Sequence, residues 1–243
     1  MLKTFFKVFV LLGIATYLVF ALIKFSTKDE KEACKGLDVY INDEQETGFV
    51  TENEIRELLV SKKQFPEGRA IDDINLAQLE SLLVASPYIN EALCYKTAEN
   101  KISIHITPRI PVLHVLNTAG EDFYIDNYGS TMPRGRHVAN LMVMTGAVNR
   151  STAGPLYSKM GSRLTGDKYW RSQIDEIHVT SKGELELTPH AGDFIIQLGD
   201  TSCLDDKLNR LRLFYEEGLS KAGWNRYKTI NLKFANQVVC TKR

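Results

Sequence analysis

The sequence TENEIRELL at residues 51–59 fixes the start of a helix in the amino-terminal half of this 243-residue chain. Thr51 and Glu54 have the spacing of a capping box. In that motif the threonine hydroxyl accepts a hydrogen bond from the backbone N–H three residues on, and the glutamate side chain accepts one from the threonine N–H. Apolar residues at positions 55, 58 and 59 follow at helical spacing. The stretch therefore predicts a helix that begins here and buries one face.

The residues around this helix complete a small α+β pattern. The predicted elements are a strand within residues 36–50, a second helix capped by Asn75, and a hairpin formed by residues 91–97 and 101–107. Their order is strand, helix, helix, strand, strand. Because two helices covering one face of a three-stranded sheet make a self-sufficient core, we place one domain at residues 36–109.

Residues 110–243 contain short apolar alternations separated by turns, which favours a second, mostly β domain. The predicted strands are 111–117, 122–126, 141–144, 173–180, 184–188, 193–198 and 228–241, and the predicted helices lie near 155–170 and at 204–219. The predicted fold class is α+β: one amino-terminal transmembrane helix, a β-α-α-β-β domain, and a mostly antiparallel β domain with one or two helices.

The transmembrane prediction rests on residues 8–23, which carry no charge and lie between Lys7 and Lys24. With neighbouring phenylalanines included and both lysines snorkelling, the segment spans about 31 Å, close to the roughly 30 Å hydrocarbon core of a bilayer. A cleaved signal peptide is the alternative, but no small-x-small cleavage pattern follows residue 23. We expect a cytoplasmic amino terminus at residues 1–7, a transmembrane helix at 8–25, a linker at 26–35 and exported domains.

Composition and charge exclude several classes of protein. The hydrophobic content of 44% and the charged content of 25% are ordinary for a globular chain, which rules out wholesale disorder and a polytopic membrane protein. Lys plus Arg equals Asp plus Glu, at 30 each. The chain therefore has no net positive charge with which to hold a phosphate backbone, and we expect no nucleic-acid partner.

The sequence contains no recognisable pattern of catalytic or metal-binding residues. Its five histidines are scattered without the spacing of a zinc site, and nucleophile-elbow, Walker and dinucleotide-binding motifs are missing. We therefore expect no enzyme activity, no catalytic residue, no metal, no cofactor and no small-molecule substrate. A site assembled from residues distant in sequence would leave no such motif.

The four cysteines divide two to each predicted domain: Cys34 and Cys94, then Cys203 and Cys240. Outside the cytoplasm this distribution permits one disulfide in each domain. Buried free thiols in strands are the alternative, and the sequence does not decide between the two.

The order of elements resembles a known family. The first domain is similar to the POTRA (polypeptide-transport-associated) module, and the whole chain resembles the FtsQ/DivIB family of bacterial divisome proteins. Five segments carry the resemblance in the family's order: TPRIPV at 107–112, YIDNYG at 124–129, LMVMTG at 141–146, Leu198-Gly199 before the predicted helix, and NLKFAN at 231–236.

The resemblance implies a single-pass protein of the bacterial inner membrane, with a cytoplasmic amino terminus and periplasmic domains at the division septum. It implies a non-catalytic scaffold that links early and late division proteins and binds divisome partners, in particular the FtsB and FtsL coiled-coil pair. The POTRA-like region is implied to serve recruitment to the division site.

The last predicted strand offers a physical mechanism for binding. At the edge of a sheet, a strand presents unpaired N–H and C=O groups that a partner strand can pair with. The predicted partner-binding residues, taken from the family's positions and the apolar stretch beside them, are Phe234, Asn236, Gln237, Val238, Val239 and Lys242. The alternative is an ordinary terminal strand that completes the core, since the two roles look alike in sequence.

Two other functions compete with a divisome scaffold. A POTRA-containing periplasmic chaperone or translocation component would favour repeated POTRA modules and a membrane barrel, which the sequence does not indicate. An anchored periplasmic hydrolase would require a cleft with convergent titratable groups.

Overall fold

The fold is described from a computed structural model of the chain. It describes residues 2–26, 32–42, 48–135 and 138–243, with the side chains of the first helix described only at residues 9–22. That helix, α1, is Leu2–Ser26. The strands that follow it form two sheets, one of three strands and one of nine, within the described residues.

The membrane-spanning segment expected at residues 8–25 is wrong. Among the helices that the structure describes, none combines the length and the apolar character needed to cross a bilayer. The α+β class, with a POTRA-like domain and a large sheet, is retained without the membrane span. The cytoplasmic segment expected at residues 1–7 falls outside the described side chains.

The smaller sheet has the predicted β-α-α-β-β order. It contains β1 (Leu37–Ile41), β2 (Ile89–Lys96) and β3 (Ile102–Pro108), arranged β1-β3-β2, with β1 parallel and β2 antiparallel to the central β3. The helices α2 (Glu52–Ser61) and α3 (Leu76–Val84) share its core. Alternate residues of β3, at 102, 104 and 106, are completely buried in that core.

Both helices of this domain begin at the predicted caps. The Thr51 hydroxyl accepts from the Glu54 N–H at 3.3 Å, and the Thr51 N–H donates to the Glu54 carboxylate at 3.0 Å. The Asn75 side chain accepts from the Gln78 N–H at 3.1 Å. These caps satisfy N–H groups that the first turn of a helix leaves without a partner.

The linker expected at residues 26–35 ends earlier than predicted. Ala33 forms an isolated antiparallel bridge with Ala70, and Cys34 is buried and donates its N–H to the Arg69 carbonyl at 2.8 Å. These residues therefore belong to the first domain. Residues 27–31 of the expected linker lie outside the described residues.

The larger sheet begins directly after the smaller one. Its strands are β4 (Pro111–Asn117), β5 (Asp122–Asp126), β6 (Thr131–Pro133), β7 (Val143–Gly146), β8 (Ile174–Val179), β9 (Leu185–Pro189), β10 (Ile195–Gly199), β11 (Tyr227–Asn231) and β12 (Val239–Lys242). Their order is β12-β11-β10-β9-β8-β7-β4-β5-β6. Three neighbouring pairs are parallel and five antiparallel, so the sheet is mostly antiparallel as predicted.

Helices pack on one face of this sheet and form its core. They are α4 (Arg150–Gly166), α5 (Lys168–Gln173) and α6 (Leu204–Leu213); α6 continues as a π-helical segment, Phe214–Leu219, and ends in α7 (Ser220–Ala222). Met160 and Leu164 of α4 and Leu208 and Leu211 of α6 are buried in one apolar cluster with the inner side chains of the strands.

Four local predictions differ from the structure in this domain. Strand β6 was not predicted, and β7 begins two residues later than expected. Helix α4 begins at Arg150 because the Asn149 side chain accepts from the Ser151 N–H at 3.0 Å. The strand expected at 228–241 is two strands, β11 and β12, separated by a turn.

A buried ion pair lies where the chain passes from one sheet to the other. Arg109 Nη1 lies 2.8 Å from Asp126 Oδ2, and the Asp126 side chain is completely buried. The other carboxylate oxygen accepts from the N–H groups of Tyr128, at 3.0 Å, and Ser130, at 2.6 Å. Because each carboxylate oxygen has a partner, the negative charge is tolerated in the interior. The Asp126 side chain also holds the turn between β5 and β6 through its hydrogen bonds to the two N–H groups.

An aromatic contact joins the two domains. Phe49, which precedes α2, packs edge-on against Tyr124 of β5 with ring centroids 5.5 Å apart, and both side chains are fully buried. Met132 of β6 completes this cluster, and Tyr88 packs against it. The first domain therefore contributes to covering the outer strands β5 and β6 of the larger sheet.

Replacing Asp126 by Asn should show how much the negative charge contributes to stability apart from the hydrogen bonds that hold the turn. The amide oxygen still accepts from the Tyr128 and Ser130 N–H groups, whereas the Arg109 guanidinium loses its counter-charge. We expect the free energy of unfolding to fall by about 2–3 kcal/mol in chemical denaturation, the size of a hydrogen bond to a charged group. Glu217→Gln, which neutralises an exposed i,i+4 pair with Lys221, is the control and should leave stability unchanged. Equal losses in the two variants would contradict a special role for the buried pair.

Candidate functional site

The larger sheet has two edges of different character. At one end, β6 has three residues and finishes in Pro133, which cannot donate to an added strand. At the other end, β12 is paired with β11 on one side and with no other strand in the part of the chain that the structure describes. The sequence of β12 is Val-Cys-Thr-Lys, rich in residues that favour strands. The open backbone of the sheet is therefore at β12.

The directions of the backbone groups on β12 follow from the neighbouring bonds. The Leu232 N–H donates to the Gln197 carbonyl of β10 at 2.9 Å, so residues 229 and 231 point their backbone groups toward β12. Their partners in the register are Thr241 and Val239. Because successive residues alternate, Cys240 and Lys242 direct their N–H and C=O groups away from the sheet. The Arg243 N–H donates to the Arg226 carbonyl at 3.3 Å, so residue 243 points toward the sheet, as residues 239 and 241 do.

The turn that leads into β12 is held by an arginine of α6. The Arg210 guanidinium donates to the carbonyls of Leu232, at 3.3 Å, Phe234, at 2.7 Å, and Gln237. Its Nε is paired with Asp206 at 3.1 Å, and only 14% of the side chain is exposed. A planar group with several fixed donors suits this role, because one side chain satisfies three carbonyls of a turn that has no regular pairing.

The predicted partner-binding residues lie along this turn and the edge strand. Phe234, Asn236 and Gln237 are exposed in the turn, and Asn236 has a φ of 59°, in the left-handed region that Asn tolerates. Val239 and Lys242 are exposed on β12, whereas Val238 is half-buried against the core. The structure thus places the six residues in one continuous segment. Whether they bind a partner stays a prediction.

Nothing in the sequence pointed to this role of Arg210. Its spacing to Asp206 predicts an ordinary i,i+4 pair on a helix surface. The three carbonyls that it contacts are 22 to 27 residues away in the chain. The other end of β12 is held by Arg243, which pairs with Asp193.

A small cavity of about 440 Å³ lies beside the turn, lined in part by Lys207, Arg210 and Lys233. Lys207 is buried, and its Nζ donates to the backbone carbonyl of Asp200 at 2.9 Å and to the Asp200 carboxylate at 2.8 Å. Hydrogen bonds from Lys207 and Ser202 lower the pKa of Asp200 to about 2. The carboxylate therefore stays charged beside the ammonium over most of the pH range.

All four cysteines are free thiols in the structure. Cys34 and Cys94 are buried in the first domain, and burial raises the pKa of Cys94 to about 12. Cys203 is exposed next to α6, and burial also raises the pKa of the half-buried Cys240. Neither thiol with a raised pKa is an activated nucleophile. A disulfide in each domain was one of two alternatives left open by the sequence, and it stays untested.

Arg210→Lys should loosen the edge strand, because an ammonium group cannot reproduce the three-carbonyl contact of the guanidinium. We expect a loss of about 2 kcal/mol in unfolding free energy and faster amide hydrogen exchange at residues 239 and 241, with residues of β8 unchanged. Arg212→Lys on the same helix is the matched control: this arginine is bonded to the exposed Glu216 and lies over the Tyr169 ring at 4.7 Å, so the change disturbs an arginine of α6 without touching the turn before β12. Unchanged exchange on β12 in Arg210→Lys would exclude this anchoring role.

The Asp200–Lys207 contact should give a pH-dependent contribution to stability. Because the pKa of Asp200 is lower in the folded chain than in the unfolded one, its contribution is present above about pH 4 and is lost as the pH falls through about 2. Asp200→Asn should therefore lower the melting temperature at neutral pH, and its difference from the wild type should shrink toward pH 2. A difference that is constant with pH would contradict this assignment.

Comparison with known proteins agrees with this architecture. A family model for the C-terminal related region of FtsQ/DivIB matches residues 110–241, and a POTRA-like domain model matches residues 32–107. The cell division protein DivIB of Clostridium tetani is 23% identical over 168 residues, which cover 64% of this chain and 62% of the relative. The cell division protein FtsQ of Rhodothermus marinus is 26% identical over 186 residues, which cover 71% and 67% respectively.

The chain thus spans 67% of the length of the FtsQ relative and 62% of the length of the DivIB relative. The match to the FtsQ/DivIB model includes every strand of the larger sheet from β4 to β11 and most of β12. The resemblance drawn from the five sequence segments is therefore confirmed over more than half of the chain. This protein belongs to the FtsQ/DivIB family of cell division proteins.

Proposed function

We propose that the chain is a non-catalytic scaffold of the bacterial division machinery, which captures a segment of a partner protein as an added strand along β12. The observation that carries this proposal is the outward direction of the backbone groups of Cys240 and Lys242 on an edge with no strand beside it among the described residues. A strand added there would gain main-chain hydrogen bonds without disturbing the sheet.

Three features support β12 as the edge that is used. Its backbone is held in extended form by β11 on one side, so a partner meets a preformed template. The turn before it is held by Arg210, which donates to the main-chain carbonyl of Phe234, a residue whose side chain is exposed. The opposite edge strand, β6, has three residues and ends in Pro133, which has no N–H to donate to an added strand. An edge strand without a neighbour can pair with other chains and cause aggregation. A dedicated partner strand on β12 would prevent this.

The same proposal assigns roles to the six predicted residues and adds one for Cys240. Cys240 and Lys242 supply the outward main-chain groups, and Val239 presents an exposed apolar side chain to one face of the added strand. Phe234, Asn236 and Gln237 would contact the part of the partner that passes the turn. Val238 would act through its packing against the core.

The proposed partner is the pair of FtsB-like and FtsL-like division proteins, and the proposed site of action is the division septum. The domain limits that we propose are 33–109 for the POTRA-like domain and 110–243 for the β domain; the first begins at Ala33, before the residue 36 expected from the sequence, because of the Ala33–Ala70 bridge. A periplasmic position of both domains belongs to this proposal and is supported by the family resemblance alone.

Proline substitution distinguishes the two sides of the edge strand. Lys242→Pro removes an outward N–H and should weaken capture of the FtsB–FtsL pair about tenfold or more, with little change in melting temperature. Thr241→Pro removes an N–H bonded to β11 and should lower the melting temperature. Pull-down and thermal melting of the same preparations give both quantities.

The alanine variants Lys242→Ala and Thr241→Ala are the controls, because each loses its side chain and keeps its N–H. If Lys242→Ala weakens binding as much as Lys242→Pro, the side chain carries the interaction and the backbone does not. If both prolines change binding and melting in the same way, strand addition at β12 is excluded.

A further inference from the structure

The smaller sheet has two outer strands, β1 and β2, which strand capture at β12 does not use. Strand β2 is the longer of the two, with eight residues and no proline. An outer strand of this kind is normally open to pairing with another chain. A partner segment that pairs with β12 could therefore also pair with β2, unless something in the first domain prevents it.

Part of the backbone of β2 is directed away from the sheet. The Thr97 N–H donates to the Lys101 carbonyl at 2.9 Å, so residue 97 points toward the β3 side of the hairpin. Because successive residues of a strand alternate, residues 92, 94 and 96 point outward. The pairing of β2 with β3 is regular over this stretch, so the alternation is not interrupted.

The middle one of these outward residues already has its N–H bonded to a side chain. Glu80 on α3 accepts the Cys94 N–H through Oε1 at 2.8 Å. Leu79 and Leu83 of α3 are buried in the same apolar core as Cys94, so packing holds the helix, and with it Glu80, beside this N–H. A hydrogen bond to a carboxylate is stronger than one between two neutral groups.

The Glu80 carboxylate occupies the place that a carbonyl of an added strand would take. An added strand pairs through carbonyls that accept from the outward N–H groups of the edge. At Cys94 such a carbonyl would have to displace the carboxylate oxygen, whose negative charge repels it. Because Cys94 is the middle outward residue, a strand that avoids it could pair with only residue 92 or residue 96.

The other outer strand, β1, has a cap of the opposite polarity. The Asn42 N–H donates to the Ile106 carbonyl of β3 at 2.8 Å, so by alternation Leu37 points outward. Arg56 on α2 donates from Nη2 to the Leu37 carbonyl at 2.7 Å. An outward carbonyl of β1 and an outward N–H of β2 are thus both occupied by charged side chains of the domain's own helices.

We infer that Glu80 determines which edge of this protein captures a strand: by occupying the outward N–H of Cys94 it closes β2, so that an extended polypeptide segment pairs with β12. Arg56 acts in the same way on β1. The inference rests on the proposed function for the identity of the open edge. The closure of β2 is a property of the first domain and is tested without the partner of β12.

Glu80→Ala should open β2, because alanine offers no acceptor to the Cys94 N–H. In dilute solution, amide hydrogen exchange at residue 94 should become about tenfold faster or more, the effect of losing one hydrogen bond to a charged group. The melting temperature should stay close to that of the wild type, since alanine favours a helix. The freed edge should pair with a second copy of the chain. Sedimentation velocity of the full chain at rising concentration should therefore show more self-association in the variant.

Three further variants locate the effect, and all of them retain α1. Glu80→Gln keeps a side-chain oxygen that can accept the N–H, so it should behave like the wild type. Glu57→Ala removes an exposed carboxylate of α2 and controls for the change in net charge. Lys96→Pro, added to Glu80→Ala, removes an outward N–H of the same edge without breaking a bond to β3, so it should reverse the self-association.

Three results would overturn the inference: equal exchange of the Cys94 N–H in Glu80→Ala and the wild type, no more self-association in Glu80→Ala than in Glu57→Ala, or self-association that Lys96→Pro leaves unchanged. Capture of the FtsB–FtsL pair at β12 should be the same in all these variants, because none of them changes that strand. Failure of this inference and failure of strand addition at β12 therefore show in different experiments.

Discussion

The buried Arg109–Asp126 ion pair is the interaction on which the arrangement of the larger domain depends. Asp126 is completely buried, yet its two oxygens meet Arg109 and the N–H groups of Tyr128 and Ser130. The pair therefore connects Arg109, the residue directly after β3, with the turn between β5 and β6. Removing Arg109 would leave the buried Asp126 charge with only the two N–H groups of the turn as partners, and removing Asp126 would leave the mostly buried guanidinium without its counter-charge.

The turn held by Asp126 also positions α4. Gly129 in that turn lies so close to Gly154 of α4 that a Cβ at position 154 would be 2.0 Å from the Gly129 carbonyl oxygen. Gly129 has a φ of 87°, which only glycine adopts readily. Helix α4 can then lie close to the sheet and bury Met160 and Leu164. A single carboxylate thus connects the domain junction, a turn and the packing of a helix.

The same physical solution recurs at the opposite end of the sheet. There the Arg210 guanidinium satisfies carbonyls of the turn before β12, as Asp126 satisfies N–H groups of the turn after β5. Backbone groups in irregular segments need partners, and a buried charged side chain can serve several at once. The result is an edge strand that is paired on its inner side and, among the residues that the structure describes, has no strand on its outer side, which is the geometry that strand addition requires.

Local features of the sequence determined much of the fold. The capping residues Thr51 and Asn75, the alternation of Ile102, Ile104 and Ile106, and the five family segments act through neighbours a few residues away, so they are readable without coordinates. Only the tertiary structure decided which strands pair, that residues 228–241 divide into β11 and β12, and that Arg210 holds the turn. Those outcomes depend on contacts between residues far apart in the chain, such as the parallel pairing of β10 with β11, and hydrophobic periodicity carries no information about the partner of a strand.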